Sequence, residues 1–503
     1  MASIVKSFDP TARASATAIS FKQLNLETAP AQRPEVIAVI AQHATGKTPT
    51  ANVPVLADGT PEQAFSLYGA SPLFYSAEAL FPKDGNGAKC PVYYVPIADG
   101  TTAAAGDITF TGTASKSFTA EITFRQLELV AAADAAGKIA TNALLNPARA
   151  PRGKQLDSFN TLGVRFVIPN GTAAADIPAL IVSAVAEEVA FPATPVDGTG
   201  GVLDLTAKWK GATGNFEIGI VDDEGESLSS AVHGLTVAYT QMTGGADSLS
   251  VEDALDNLTE SYGITRVVNQ FSDTTNLDLV QTWGEGKRDA LIAQYAVSYF
   301  GQEYTESGVV AGTVDVAAEK VLGDARRDDA VNIAIKGTYG DLRELTYTQR
   351  DTLVKAGISN IEIRGGIATL MDSVTFYHPE GVQNPIYRYD NDVTKIGNLS
   401  YDLQAFFGTE DWESKIIVST DSKTTNPEAI NIDDFAAAVF GRSELWEKTA
   451  LIASAAFVKE NSAFEIDGSN PNRINANIKA QLSSTLRILD NTLFLGFLFG
   501  ETA

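Results

Sequence analysis

Glu35-Val36-Ile37-Ala38-Val39-Ile40 is the stretch on which the fold turns. From Val36 on it has no polar face, and a strand of that kind must be covered on both sides, as inner strands of helix-flanked sheets are. The following sequence keeps this texture. Pro61-Glu62-Gln63-Ala64-Phe65-Ser66-Leu67-Tyr68-Gly69 reads as a short helix ended by glycine, a further helix is expected at about 71 to 81, and Val92-Tyr93-Tyr94-Val95-Pro96-Ile97 reads as the next strand. The pattern predicts a helix-covered α/β sheet.

Near Gly106 the texture changes. Asp107-Ile108-Thr109-Phe110-Thr111-Gly112-Thr113 and Phe118-Thr119-Ala120-Glu121-Ile122-Thr123-Phe124 alternate with period two, as half-exposed strands do. Further strands are expected at 163–168, 203–207, 216–220 and 235–239, with a helix from Pro178 to Val189 and Gly/Pro/Thr-rich loops between them. Residues from about 106 to 245 therefore read as a β-rich module inserted into the α/β body and closed by Met242-Thr243-Gly244-Gly245-Ala246. Such an insertion requires its entry and exit to lie close together.

The α/β texture then returns. A helix is expected from Ser250 to Ser261, a strand at Ile264-Thr265-Arg266-Val267-Val268-Asn269, a helical stretch near 284 to 300, more units through Asn332-Ile333-Ala334-Ile335, and a helix from Thr348 to Ala356. Ser359-Asn360-Ile361-Glu362-Ile363-Arg364-Gly365-Gly366 is a strand with a glycine turn, and Val374-Thr375-Phe376-Tyr377 reads as another. From about 385 helices resume, with Asp433 or Asp434 as a candidate N-cap and one long amphipathic run from Ser443 to Lys459. Two strands follow.

The two ends stand apart. Ala18-Ile19-Ser20-Phe21-Lys22-Gln23-Leu24-Asn25-Leu26 partly alternates and reads as an arm or edge strand. After Ser469-Asn470-Pro471-Asn472-Arg473-Ile474-Asn475 comes an apolar finish, Leu493-Phe494-Leu495-Gly496-Phe497-Leu498-Phe499. With no polar face it needs cover, so it is expected either to close its own sheet or to be added as a strand to a neighbouring subunit.

At 503 residues the chain is expected to hold about two to four domains. The single cysteine, Cys90, excludes an internal disulfide framework and fits a reducing cytoplasm, and it builds no zinc or redox motif. A net charge of −25 repels phosphate backbones, so nucleic acid is not expected as a ligand. It also makes copies of the chain repel, so a polymer needs strong local contacts and responds to salt. His43, His233 and His378 stand too far apart to suggest a metal cluster. No basic region followed by an apolar core opens the chain and no run approaches about 18 apolar residues, so neither export by such a signal nor membrane insertion is expected.

Candidate chemistry is sparse. Ala41-Gln42-His43-Ala44-Thr45-Gly46-Lys47-Thr48 ends like a phosphate-binding loop after a strand, which would make an NTPase with Lys47 on phosphate. Against it, Ala41 replaces the first glycine and Pro49 follows where a helix should begin, so an exposed loop is the plainer reading. Asp222-Asp223-Glu224-Gly225-Glu226 and Arg326-Arg327-Asp328-Asp329 lack calcium-loop spacing and read as solvated charge. No residue pattern nominates a nucleophile with a base, so no catalytic, cofactor or metal residues are expected. A surface adhesin would suit the Thr-rich β module but not the α/β core or the missing export signal.

Several segments, taken in order, resemble a known family. Ala64-Phe65-Ser66-Leu67-Tyr68-Gly69-Ala70-Ser71-Pro72-Leu73, Asp107-Ile108-Thr109-Phe110-Thr111-Gly112-Thr113-Ala114, Leu205-Thr206-Ala207-Lys208-Trp209-Lys210-Gly211-Ala212-Thr213-Gly214-Asn215 and Met242-Thr243-Gly244-Gly245 form the first half of the pattern. Leu353-Val354-Lys355-Ala356-Gly357-Ile358, Ile361-Glu362-Ile363-Arg364-Gly365-Gly366, Val374-Thr375-Phe376-Tyr377 and Ser469-Asn470-Pro471-Asn472-Arg473-Ile474-Asn475 form the second. Together they resemble the tail sheath protein of contractile-tailed bacteriophages, the Mu-like branch, over most of residues 35 to 500. The departures lie between about 130 and 200.

The resemblance implies an α/β and α+β multidomain chain. Its parts would be an N-terminal arm (1–30), an α/β middle domain (31–105 and 246–380), an inserted, outward-projecting β-rich domain (106–245), a tube-facing inner domain (381–490) and a C-terminal arm strand (491–503). It implies hexameric rings stacked helically around a tail tube, contracting by rigid-body rearrangement to drive the tube through the host envelope for genome ejection. A phage-derived injection machine or bacteriocin would use the same subunit. Partners would be further copies of the chain, the tube protein, and baseplate and terminator or neck proteins. The particle would be a virion tail assembled in the bacterial cytoplasm. On this view Ile19, Phe21, Leu24, Leu26, Leu493, Phe494, Leu495, Phe497 and Phe499 are the intersubunit strand residues. Arg442, Lys448 and Lys459 are candidates to face the tube, although Glu444 and Lys448 stand i,i+4 and could pair only with each other.

Overall fold

Every residue of Ile37–Gln42 (β1) is buried, and its side chains feed two cores. Ile37, Val39 and Ala41 pack on one face, Ala38 and Ile40 on the other, as a strand without a polar side demands. The computed structural model describes residues 30–484 apart from 32, 82–87, 89, 127–163, 189, 223–227, 230, 247–248, 272–273, 288–296, 300–346, 356–359, 365–366, 373, 376 and 378–386. The chain divides into two compact units, Met1–Gln32 with Tyr401–Ser483, and Arg33–Ser400 with Ser484–Ala503.

In the larger unit β1 is the middle of a five-stranded sheet. After Val55–Leu56 (β2) come the helices Pro61–Tyr68 (α1) and Pro72–Leu80 (α2), then the strand Val92–Ile97 (β3), which lies parallel to β1. Thr60 caps α1 by accepting from the Gln63 amide at 3.4 Å, and Gly69, at φ 68°, ends it. Both helices pack on the Ile37/Val39 face.

Ala103–Gly112 (β4), Phe118–Gln126 (β5), Val164–Ile168 (β6), the helix Ile177–Glu187 (α3), Ala193–Asp197 (β7), Val202–Lys210 (β8), Phe216–Asp222 (β9) and Leu235–Thr243 (β10) follow. They form two antiparallel sheets, β10-β4-β8-β7 and β6-β5-β9. Side chains stitch the sheets where β9 meets β10. The Gln241 amide accepts from the Ile218 N–H and donates to the Ile218 carbonyl at 3.2 Å, acting as one added residue of strand, and the Tyr239 hydroxyl accepts from the Ile220 N–H at 3.2 Å. This protects an edge that would otherwise be open to pairing. At the opposite side α3 packs against both β6 and β7. The strand β7 falls in a stretch read from sequence as Gly/Pro/Thr-rich loop; it is an edge strand, where Pro195, which has no N–H to give a ladder, is tolerated. At Gly106 the backbone of β10 crosses so closely that a Cβ would stand 2.5 Å from the Thr240 carbonyl oxygen.

Glu252–Asn257 (α4), Arg266–Asn269 (β11), Thr274–Lys287 (α5) and Val297–Tyr299 (β12) follow, and the strands complete the sheet in the order β12-β11-β1-β3-β2, parallel throughout except for β2, which runs antiparallel to β3. Val251, Ala254, Leu255 and Val280 cover the Ala38/Ile40 face. Of the helix expected near 284 to 300, residues 284–287 end α5, whose apolar stripe is Leu279, Val280 and Trp283, residues 297–299 are strand, and 288–296 lie outside the described residues. The helix Tyr347–Lys355 (α6) precedes the hairpin of Asn360–Arg364 (β13) and Ile367–Asp372 (β14). The strand expected at 374–377 is a single bridge, Val374 to Tyr389, before the helix Asp390–Phe407 (α7).

The smaller unit carries Glu410–Glu413 (α8), Ile416–Ile417 (β15), Ala429–Ile430 (β16), Ile432–Lys448 (α9), Ala455–Asn461 (α10), Ala463–Ile466 (β17) and Ile474–Asn477 (β18). The N-cap of α9 is Asn431, neither aspartate. Its side chain accepts from the Asp433 and Asp434 amides while Asp434 reaches back to the Asn431 amide, a closed capping box. The run expected as one helix from 443 to 459 is two helices. Ala450 turns to φ 56°, Leu451 and Ile452 bury, Ile452 bridges Leu482, and Ser454 caps α10. The apolar periodicity continued, but Leu451 and Ile452 serve the core better off the helix.

Candidate functional site

The C-terminal ends of parallel strands are where α/β sheets ordinarily bind ligands, at the point where strand order reverses. Here that point lies between β1 and β11, and protein fills it. The Gln42 N–H donates to the Gln270 side chain at 2.8 Å, the two side-chain amides meet at 3.2 Å, and the Gln42 amide nitrogen donates to the Lys210 carbonyl at 2.6 Å. The Thr213 hydroxyl completes the knot on Gln42.

The loop that resembles a phosphate cradle is used likewise. The Ala44 N–H donates to the Tyr68 carbonyl and the Thr45 N–H to the Lys208 carbonyl, each at 2.7 Å. The Lys47 ammonium donates to the Ser66 carbonyl at 2.8 Å, and no helix begins behind it. A phosphate site needs those amides turned toward the ligand. Here they fasten the end of β1 to α1 and β8.

The glycine-rich segments form a neck. Thr102 bridges Ala246, so the two ends of the β-rich stretch lie side by side. Asn215 accepts from the Gly245 N–H at 2.9 Å and donates to the Gly245 carbonyl at 3.4 Å. A Cβ on Gly245 would stand 2.3 Å from the Gly211 carbonyl oxygen, so both strand ends converge on bare backbone. Trp209, fully buried, packs edge-on against Tyr75 of α2.

At the other end of the parallel sheet Glu35 receives Arg266 Nε at 3.1 Å and the Thr265 hydroxyl at 2.5 Å, and Arg266 also donates to Thr394 on α7 at 3.2 Å. Burial pushes the Glu35 carboxyl up, but Arg266, the Thr265 hydroxyl and Arg33 outweigh it and hold it below its ordinary value. Its folded pKa is thus depressed, so its contribution to stability is full above the unfolded value and disappears as pH falls through the folded one. Denaturant midpoints measured from neutral pH into the acid range should fall less steeply for Glu35→Gln than for wild type, and equal slopes would refute this.

In the smaller unit a single carboxylate gathers four donors. Asp402, on α7 and fully buried, accepts from the Ala31 N–H at 2.7 Å, Arg442 Nε at 3.0 Å, Arg442 Nη2, and Trp446 Nε1 at 2.7 Å. The Arg442 guanidinium also lies 5.2 Å from the Phe406 ring centre. Arg442, read from sequence as a candidate tube contact, is therefore bound within its own unit. Lys459 pairs with Glu444 at 2.7 Å, so Glu444 reaches the second helix; this bond and charge, with Lys448 adding its own charge, lower the Glu444 pKa. Lys448 and Lys459 are exposed. Asp402 went unremarked in the sequence; its only local signal was an acid on the apolar side of a helix.

The rings of Phe406, Phe407, Trp412, Phe435, Phe440 and Phe464 form one chain of contacts with centres 4.8–6.0 Å apart. None of the six is buried, and each keeps part of its face open. Around them the sheets are minimal: β15 pairs only β16, and β17 only β18, among the described residues. Ile19, Phe21, Leu24, Leu26, Leu493, Phe494, Leu495, Phe497 and Phe499 lie outside the described residues. No described helix is long and apolar enough to cross a membrane.

No protein-family model and no curated protein matches the chain. Among solved structures, it is similar to a sheath tail protein from Desulfitobacterium hafniense at 8% identity and TM-score 0.44, covering 93% of this chain and 97% of that one. A sheath tail protein from Listeria innocua gives 10% identity, TM-score 0.42, and coverage of 91% and 94%. The contracted sheath of an extracellular contractile injection system, PVC, gives 10% identity, TM-score 0.40, and coverage of 96% and 98%. These three solved structures, two sheath tail proteins and a contractile-injection-system sheath, are similar to this chain along nearly all its length.

Proposed function

We propose that the chain is a non-enzymatic structural subunit of a contractile sheath, self-assembling into hexameric rings stacked around an inner tube. The observation that carries this is the open aromatic core of the smaller unit. Six packed rings with no buried member, beside sheets that among the described residues have only two strands, make a core that closes on another surface. The ordered family segments supply the identity of that surface as another copy. Residues 1–30 and 491–503 act as arms that add strands to neighbouring copies, 381–490 faces the tube, 31–105 with 246–380 forms the middle, and 106–245 projects outward.

Contraction is rearrangement of whole subunits about these arms. Lys448 and Lys459 are the tube-facing cations, while Arg442 acts behind them by holding α9 to α7 through Asp402. Baseplate and neck proteins would bound the polymer, whether on a phage tail or on a derived injection machine. Negative-stain electron microscopy of the purified chain at low and high salt should show hollow striated cylinders. Monomers at every salt and concentration would overturn the reading.

A further inference from the structure

We infer that Arg388 is a receptor for an acidic side chain of a second copy of this chain, an inference that rests on the self-assembly reading above. Arg388 stands on the short segment that leads into α7, between Tyr387 and Tyr389. That segment is held on both sides of it. The Thr375 N–H donates to the Arg388 carbonyl at 2.7 Å, the Thr375 hydroxyl donates to the Tyr387 carbonyl at 2.5 Å, and Tyr389 bridges the buried Val374.

The residue keeps 8% of its surface open, and its Nε is enclosed without a hydrogen-bond partner. Among the described residues its guanidinium makes no hydrogen bond or ion pair. Two other enclosed arginines among the described residues lie on carboxylates: Arg266 on Glu35, and Arg442 on Asp402. Asp392, in the first turn of α7, faces Lys395 at 3.7 Å.

An enclosed guanidinium is costly and cannot relieve the cost by losing its proton, as an enclosed lysine can. It therefore calls for a partner from outside. Its planar fork suits a carboxylate, and the chain carries 62 acids against 37 lysines and arginines, so copies meet with carboxylates in surplus. Because Nε and most of the side chain are already out of water before the partner arrives, docking does not incur that part of the cost again. The same pairing offsets part of the mutual repulsion expected between copies of net charge −25.

The test uses the full chain carrying Arg388→Met, with R388K beside it. Monomeric R388M should melt at or above the wild-type temperature, since an unpaired enclosed charge is gone. Its yield of polymer at fixed concentration should fall at least about tenfold. In assembled R388K, zero-length carbodiimide coupling should join the introduced amine to an acid of another copy, located by peptide mapping. Wild-type assembly by R388M overturns the inference. So does a lowered melting temperature in R388M that R388K restores, which would assign the guanidinium to the chain's own fold. A wild-type chain that never polymerises overturns the assembly reading and this inference together, whereas polymeric wild type beside polymeric R388M overturns this inference alone.

Discussion

Asp402→Ala should cost the unit built on residues 401–483 about 3–5 kcal/mol, the range for breaking an enclosed ion pair from one side. The loss is larger than one salt bridge because the same carboxylate accepts from the Ala31 amide and the Trp446 indole. Without it Arg442, with 13% of its side chain exposed, keeps its charge in place, and the indole of Trp446, 1% exposed, has no acceptor. Asp402→Asn should be nearly as damaging, since its amide group turns a donor toward donors. The double variant D402L/R442M removes charge from both partners and should recover part of the loss, though not all, because two N–H groups stay unpaired. Chemical denaturation of the three variants decides the matter. If D402A matches wild type, or D402L/R442M is worse than D402A, the carboxylate does not organise this unit.

What the sequence disclosed and what it withheld follow from the range of the forces involved. The strand at 37–40 was legible because covering both faces is a local demand on composition, and the β-rich stretch because period-two alternation is local too. Where the sequence misled, a specific partner had decided, near in one case and distant in the others. Asn431 rather than Asp433 caps α9 because the capping box needs its reciprocal acid three residues on, which only Asp434 supplies. The helix expected through Lys459 breaks at Ala450 because Ile452 finds Leu482. Asp402 gained its role from Ala31, at a separation of 371 residues, which no window along the chain can register. The glycine-rich segments were recognisable as a series, yet their physical content, bare backbone meeting bare backbone at Gly211 and Gly245, appears only in three dimensions.

Deleting residues 493–503 should abolish polymerisation while leaving a folded monomer. The stretch Leu493–Phe499 contains no polar residue, so whatever covers it buries apolar area at roughly 25 cal/mol per Å². Strand pairing would add about 0.5–1.5 kcal/mol net for each main-chain hydrogen bond. Such a gain per contact is modest, but it recurs at every subunit of a helical polymer, so its removal acts on the whole assembly. On the strand-addition reading the folded body does not depend on it. Its larger core runs through β1, β3 and the two sheets stitched by Gln241, and the smaller unit is organised by Asp402 and Trp446. The truncated chain should therefore keep the wild-type melting temperature within about 2 °C, since surface changes usually alter stability by under about 0.5 kcal/mol. Velocity sedimentation separates the outcomes. A truncated chain that unfolds or aggregates means the apolar run closes its own sheet; one that still polymerises means the open aromatic face, without strand addition, holds the copies together.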